Sequence, residues 1–350
     1  MKFDFEDIFI TGSNGWLGRQ IVESLNTNDS NVLDLEKPSD MKINCFIMDS
    51  DDVFFFNKYK HNINLIKGDL RNQQDIKKFL YSAKKSLLIH TVGTIHPKKI
   101  KDFYEINYYA TIKLVEEAIK KDISKIIVIS SNSPLGYNPN NRHLFNENSP
   151  YNPYMNYGKS KELMEKYLLK KIKQDINITI LRPPWFYGEN MPERQMIFYK
   201  MVISGKFPII GNGLNIRSLA NVKNICQAIF LASIKEISKG KIYWIADEKN
   251  LNMLQIIDTI QKVFINEFKM EVNKSIIRFP YLFGQIFEFL DFFLQKLNIY
   301  SQKIHVLSEL NKNIACDISL ARRELGYNPK VDLYNGTKNA YKQYLKLNKK

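Results

Sequence analysis

The chain has 350 residues, 44% of them apolar and 25% charged, which fits a globular protein with a sizeable buried core and excludes a disordered or collagen-like one. The three cysteines, Cys45, Cys226 and Cys316, are far apart and odd in number, so neither a disulfide framework nor metal-ligand spacing follows, and a reducing, cytoplasmic compartment is expected. The net charge of +15 is spread along a chain rich in Lys, Asn and Ile, with no basic arm, RNA-binding signature or Cys/His zinc spacing, so no nucleic-acid partner and no metal are expected. The N-terminus lacks a signal-peptide pattern, and no run of about 18 apolar residues offers a transmembrane helix.

The first element is a short apolar strand, Asp7–Thr11, running into Gly12-Ser13-Asn14-Gly15-Trp16-Leu17-Gly18, after which Ile21, Val22 and Leu25 continue at helical spacing. Strand, glycine-rich turn and helix in this order make a pyrophosphate site, because glycine permits close backbone approach and the helix N-terminus favours anions. Asn31–Leu35 reads as the second strand, carrying Asp34 22 residues past Gly12, near the spacing of a ribose-binding acid. That acid favours NAD over NADP, although Arg19 and Lys37 are cations that could reverse the preference; the alternative for Asp34 is an exposed turn residue. Residues 36–62 read as an irregular insertion containing Phe54-Phe55-Phe56. A third strand, Asn64–Lys67, leads to Asp69 and Leu70, with Asp69 suited to an adenine contact or to helix capping.

A helix at Asp75–Lys84 and a strand at Ser86–Val92 follow, the strand ending His90-Thr91-Val92-Gly93, with His90 read as a structural residue. Then come an amphipathic helix, Tyr104–Lys121, containing Asn107, and a β-branched strand, Lys125–Ser130, opening into Ser131-Asn132-Ser133. The next helix carries Tyr157 and Lys161, and a strand at Asn177–Leu181 leads to Arg182-Pro183-Pro184. Regular alternation of strands and helices predicts an α/β, Rossmann-type doubly wound parallel sheet. Ligands of such sheets bind at the carboxyl ends of the strands, where the glycine turn, Asp34, Asp69, Gly93, Ser131 and Pro183 all fall.

Past Pro184 the pattern loosens. Helices are expected at Asn221–Ala232, Leu254–Phe264 and Ser319–Leu325, and a strand at Lys241–Ala246. The aromatic segment Phe279–Leu297 reads as a mostly helical core element; lining a lipid pocket or touching a membrane is the less favoured reading. Residues 1–185, with the sheet completed by about 220–247, are expected to form the dinucleotide-binding domain. A smaller substrate-binding portion is expected from 186–219 and 248–335.

Tyr157 and Lys161 stand four apart, on one face of a helix. A cation beside a phenol favours the phenolate, which makes such a tyrosine a usable acid or base. Taken alone, the pair reads as a solvated helix face.

The assembled motifs resemble the extended short-chain dehydrogenase/reductases of the NAD-dependent epimerase/dehydratase family. Thr11-Gly12-Ser13-Asn14-Gly15-Trp16-Leu17-Gly18 matches the family's T-G-x-x-G-x-x-G, Gly68-Asp69-Leu70 its adenine-side motif, and Tyr157-x-x-x-Lys161 its catalytic pair. Arg182-Pro183, Tyr187-Gly188 and Leu325-Gly326-Tyr327-x-Pro329 match later signatures. The resemblance implies that Tyr157 is the acid/base, that Lys161 lowers its pKa and binds the nicotinamide ribose, and that Ser131 holds the substrate oxygen, with Ser130 and Ser133 as rivals. It also implies cofactor contacts at Gly12, Asn14, Gly15, Trp16, Leu17, Gly18, Thr91, Val92, Gly93, Asn107 and Pro183, and substrate contacts at Ser133, Asn190 and Arg217.

The sequence departs from the family's dehydratases, which carry an Asp-Glu pair where Asn132-Ser133 stand here. Arg217 suits a sugar-nucleotide diphosphate, whereas Val222-Lys223-Asn224 and the ending Asp317-Ile318-Ser319 resemble the 3β-hydroxysteroid dehydrogenase branch. The leading expectation is an NAD-dependent oxidoreductase or epimerase acting on a nucleotide sugar. The alternatives are a dehydrogenase of an apolar alcohol and a non-catalytic dinucleotide sensor. Family analogy implies a homodimer through helices 104–121 and 154–174.

Overall fold

The structure is a computed structural model that describes residues 3–27, 29, 31, 32, 41–59 and 61–348. Strand β1 (Asp7–Thr11) feeds helix α1 (Trp16–Asn26), and the chain returns to the sheet as β2 (Lys42–Ile47), a 3-10 turn at Phe54–Tyr59 and β3 (Ile63–Lys67). Helix α2 (Gln73–Phe79), β4 (Leu87–His90), α3 (Lys101–Tyr104), a π-helical stretch (Glu105–Ala110) and α4 (Thr111–Lys120) follow, then β5 (Lys125–Ile129), α5 (Met155–Ile172) and β6 (Ile178–Arg182). The remainder comprises β7 (Trp185–Tyr187), α6 (Glu193–Ile203), β8 (Pro208–Ile210), β9 (Ile216–Arg217), β10 (Leu219–Asn221), α7 (Val222–Ile234), β11 (Ile242–Trp244) and β12 (Leu251–Asn252). It closes with α8 (Met253–Phe268), β13 (Ile277–Phe279), α9 (Tyr281–Lys296), α10 (Gln302–Glu309), α11 (Ser319–Leu325) and α12 (Leu333–Leu347).

The expected doubly wound parallel sheet is present, seven strands in the order β11-β6-β5-β4-β1-β2-β3. Successive strand residues point to opposite faces. In β1, Ile8 and Ile10 enter one apolar cluster, with Leu17, Ile21 and residues of α7, while Phe9 enters the other, with Phe79, Leu114 and Leu168. Burial on both faces explains why these strands read as nearly continuous apolar runs. A third cluster joins α6, α8 and α12 through Tyr199, Phe264 and Tyr341.

Two expectations need correction. The second strand of the sheet is Lys42–Ile47, inside the stretch read as an insertion, and Asn31 and Val32 lie in a turn instead. Asp34 lies outside the described residues. The strand was obscured by its buried Asn44, whose side-chain oxygen accepts a bond from Asn64 Nδ2 of the neighbouring strand (3.1 Å). The aromatic segment read as core is not core: α9 buries Gly284, Asp291 and Gln295 and leaves most of its large apolar side chains exposed.

Candidate active site

The glycine turn is held by steric necessity. Gly12 has φ +72°, a region that penalises side chains, and a Cβ there would stand 2.7 Å from Thr91 Oγ1. A Cβ on Gly18 would overlap the Gly12 carbonyl, so that glycine lets α1 pack against the turn. Gly15 occupies the N-cap of α1 and has no side chain to bond the first-turn N–H groups, which leaves these donors available to an anion. Thr91 Oγ1 donates to the Thr11 carbonyl (2.7 Å), fixing the β4 loop beside the turn. Arg19 is engaged by Asn14, through its backbone and side-chain oxygens, and lies over the Phe55 ring. Trp16 donates from its indole to the Glu189 carbonyl, while Leu17 and Leu70 point into the core.

Past the carboxyl end of β2 the first acid is Asp49, which is exposed. Sequence spacing missed it because Asp49 lies 37 residues past Gly12, the loop after α1 being long. Asp69, at the end of β3, receives a two-pronged bond from Arg71, which holds its carboxyl below the usual range. Capping of α2 falls to Asn72, so Asp69 does not cap that helix.

The reactive groups meet where β4, β5 and α5 converge. Ser133 accepts the N–H of Tyr154, the N-cap of α5, at its carbonyl (3.2 Å). A Cβ at Gly158 would come within 2.5 Å of that same carbonyl, so glycine allows α5 to abut the β5 loop. This docking brings the Tyr157 phenol close enough to Ser131 for the serine hydroxyl to favour the phenolate. Ser131 also accepts the Ser133 N–H (3.1 Å), whereas the Ser130 hydroxyl is buried without a partner among the described residues. Ser131 is therefore the serine that meets the phenol.

Lys161, one turn further along α5, is 3% exposed and donates to the Ile129 carbonyl (3.1 Å). Burial pushes the Tyr157 phenol up to about 12, against the opposing bond from Ser131. Burial likewise pushes the Lys161 ammonium down to about 8, with Glu165 opposing. A Cβ on Gly93 would stand 3.3 Å from Lys161 Nζ. Asn107, on the π-helical stretch, accepts the Thr94 N–H (2.8 Å) and donates to Ser160 (3.0 Å), which ties the β4 loop to α5. His90 is fully buried between the hydroxyls of Thr11 and Thr111 and has no bond to the reactive cluster. Pro183 is buried just past β6.

Arg217 is buried in β9, its guanidinium donating to the Glu309 carbonyl while Nε has no partner among the described residues. Lys312 pairs with Glu288 and lies over the Tyr137 ring. Asn190 is turned toward α1, donating to Gln20 (3.1 Å) and Glu23 (2.9 Å), so the structure does not bring it to the Ser131–Tyr157 cluster. Asn224, a departure from the family pattern, clamps the C-terminal segment: it donates to Asp247 (2.7 Å) and to the Val331 carbonyl (2.8 Å).

Sequence reasoning also missed the polar network that α9 and α10 place over the start of α5. His305 bonds Asp291 (2.7 Å) and stacks on Tyr154, and Gln295 binds Asn156. These residues are far apart in the chain, so no local signal marks them.

The NAD dependent epimerase/dehydratase family model matches residues 8–246. The chain is similar to the uncharacterized protein y4nL of Sinorhizobium fredii, 42% identical over 94% of this chain and 92% of that one. It is also similar to the N-acetyl-alpha-D-glucosaminyl-diphospho-ditrans,octacis-undecaprenol 4-epimerase of Escherichia coli O157:H7, 25% identical over 80% of this chain and 77% of that one. Among solved structures, the dTDP-glucose 4,6-dehydratase of Bacillus anthracis, in complex with NAD, shares the fold with a TM-score of 0.74 at 18% identity, covering 98% of this chain and 97% of that one. By the family match and by the motifs that now sit together in space, this chain belongs to the NAD dependent epimerase/dehydratase family.

Proposed function

We propose that the chain oxidises a ring hydroxyl of a sugar carried on a diphosphate, as an NAD-dependent epimerase or dehydrogenase. The observation that carries this reading is the docking of the first turn of α5 on the serine-bearing β5 loop, which sets Tyr157 near Ser131 on the helix that buries Lys161. Ser131 holds the substrate oxygen and Tyr157 takes its proton. Lys161, in its charged form, favours the phenolate. Bound NAD supplies the hydride acceptor.

The residues fit that cofactor. The open first turn of α1, framed by Gly12, Gly15 and Gly18, suits a pyrophosphate. In our reading Asp49 takes the ribose role expected of Asp34, and Asp69 stays on the adenine side. Thr91, Val92 and Gly93 form the wall next to Lys161, and Asn107 positions that wall. Residues 1–185 and 220–247 then bind the cofactor, and 186–219 and 248–335 the substrate.

The unpartnered Nε of buried Arg217 supports a diphosphate subsite. The Escherichia coli relative is named for a sugar linked through a diphosphate to undecaprenol. The shared chemistry is a sugar diphosphate ester, whose far end is a nucleoside or a lipid. Asn132-Ser133 stand where the family's dehydratases carry their acid and base, so we assign no dehydration. Buried free thiols at Cys45, Cys226 and Cys316 fit a cytoplasmic setting, and a homodimer through the outer faces of α4 and α5 belongs to the same reading.

The test is a panel of UDP-, GDP- and dTDP-sugars, polyprenyl-diphospho-sugars and sterols, with NAD present, read by thermal shift and NADH absorbance. Sugar diphosphates should stabilise the protein and drive NADH formation or epimerisation. Tyr157→Phe should cut turnover by about 10²–10⁴-fold while leaving NAD binding in place. Stabilisation by sterols alone would transfer the substrate to the apolar-alcohol class. Activity persisting in Tyr157→Phe would remove the acid/base assignment.

A further inference from the structure

Helix α9 is built inside out. Gly284, Asp291 and Gln295 face the protein, with Asp291 0% and Gln295 5% exposed. The opposite stripe is Leu282, Ile286, Phe289 and Phe293, continued by Leu297 at the C-cap, and it faces outward, with Phe289 67% and Leu282 60% exposed. These positions recur at intervals of three and four and so form one continuous apolar face. A polar face is normally the one left in water. Here the polar face is occupied: Gln295 donates to Asp291 (2.9 Å) and binds Asn156 of α5, and Asp291 holds His305 of α10. These bonds fix the helix's rotation, so the apolar stripe cannot turn inward without stranding a buried carboxylate.

Within the stretch that carries the stripe, bounded by the exposed Glu271 and the half-buried Glu309, the fully exposed charges have one sign. Between residues 272 and 308 the acids are Glu288, which is paired with Lys312, and the buried Asp291. The exposed charged side chains of that stretch are Lys274, Arg278, Lys296 and Lys303. An isologous contact with a second copy would set this cationic rim near its own image, with no exposed carboxylate in the stretch to meet it. A bilayer rich in anionic lipid matches both features, apolar depth for the stripe and negative headgroups for the rim. At 16 residues α9 is about 24 Å long, short of the roughly 30 Å of bilayer hydrocarbon. No helix among the described residues is long and apolar enough to cross a membrane. A helix of this kind lies in the interface plane.

We propose that the outer face of α9 docks this protein on an anionic lipid bilayer, its Phe/Leu/Ile stripe in the headgroup–acyl boundary and its cationic rim on the headgroups. Gln295 bonds Asn156 in the first turn of α5, and His305, held by Asp291, stacks on Tyr154, so the helix that carries Tyr157 is tied to the docked one.

The test is flotation of the full chain with vesicles of phosphatidylethanolamine and phosphatidylglycerol, against vesicles of phosphatidylcholine alone. The protein should float with the anionic vesicles, and high salt should weaken the binding. The double variant Phe289→Glu, Phe293→Glu should lose about tenfold or more in affinity. Lys296→Glu with Lys303→Glu should abolish the preference for anionic lipid. Both variants alter exposed positions, and a retained NAD-induced thermal shift shows that they fold. Failure of the wild-type chain to float, or undiminished binding by the Phe double variant, would overturn the proposal. So would a wild-type chain that does not float but forms a dimer which the Phe substitutions dissociate, since a second copy would then cover the stripe. No substrate enters this assay, so its outcome is independent of the sugar-diphosphate reading.

Discussion

Gln295 of α9 accepts two hydrogen bonds from Asn156, one from its backbone N–H (3.2 Å) and one from its side-chain amide (2.8 Å). Asn156 precedes Tyr157, and its own side-chain oxygen accepts from Tyr104 (2.7 Å). A residue from the C-terminal half therefore fixes the first turn of the helix that carries the phenol, and the orientation of Tyr157 depends on a contact 139 positions away.

Gln295→Ala removes the one oxygen that accepts both bonds and leaves the two Asn156 donors facing a small void. Loss of a buried hydrogen-bond pair of this kind should cost about 1–2 kcal/mol of stability, seen as a lowered midpoint in urea. Turnover should fall as the first turn of α5 loosens, while NAD affinity, set at the glycine turn, should hold. Equal losses in NAD binding and in turnover would point to general unfolding instead.

The acid at the end of β2 separates two readings of the cofactor site. Asp49→Ala should weaken NAD binding about tenfold, the worth of a charge-assisted bond to a ribose hydroxyl. Isothermal titration with NAD checks this, with Asp34→Ala as the comparison. An effect confined to Asp34→Ala would restore the role that sequence spacing suggested.

The sequence was legible wherever structure follows from neighbouring residues. Helix α11, Ser319–Leu325, was readable to its termini because Gly326 ends it in a left-handed conformation, φ +66°. The glycine turn and the Tyr157–Lys161 spacing were readable for the same reason. Strand β2 was not, since its inner polar residue, Asn44, finds its partner on another strand. Helix α12 was also missed, because its Lys, Asn and Tyr content disguises a face built on Leu333, Thr337, Ala340 and Tyr341. For α9 the helix and its aromatic content were visible, but its rotation was not. Asp291 and Gln295 turn inward only because His305 and Asn156 wait for them.

Lys161 predicts a pH dependence of stability. Its folded-state value, about 8, lies below the ordinary lysine value of 10.5, so the unfolded chain holds the proton more tightly. Below pH 8 the buried charge carries its full cost, and stability of the cofactor-free protein should rise as pH climbs from 8 toward 10. Lys161→Met should remove that slope and raise stability at neutral pH by about 2–3 kcal/mol, given a shift of this size. Chemical denaturation at several pH values reads both effects. A variant with no gain at neutral pH would mean that the Ile129 carbonyl bond already compensates for the buried charge.

The Asp291–His305 pair makes a prediction of opposite sign. Burial works to lower the His305 pKa, but the bond to Asp291 and the charge of Glu309 outweigh it, and the net shift is upward from 6.5. Because the folded value exceeds the unfolded one, the pair's contribution is complete below pH 6.5 and is lost as pH rises through the folded value. The α9–α10 hairpin should then open more readily at alkaline pH, while the sheet is unaffected. Hydrogen exchange followed by peptide mass spectrometry, corrected for the intrinsic pH dependence of exchange, should show falling protection over residues 281–309 and steady protection in β1, β4 and β5. His305→Asn should abolish that difference, leaving the hairpin equally protected at every pH. A hairpin whose protection rises with pH would mean that burial outweighs the bond to Asp291 and that the folded His305 value lies below 6.5.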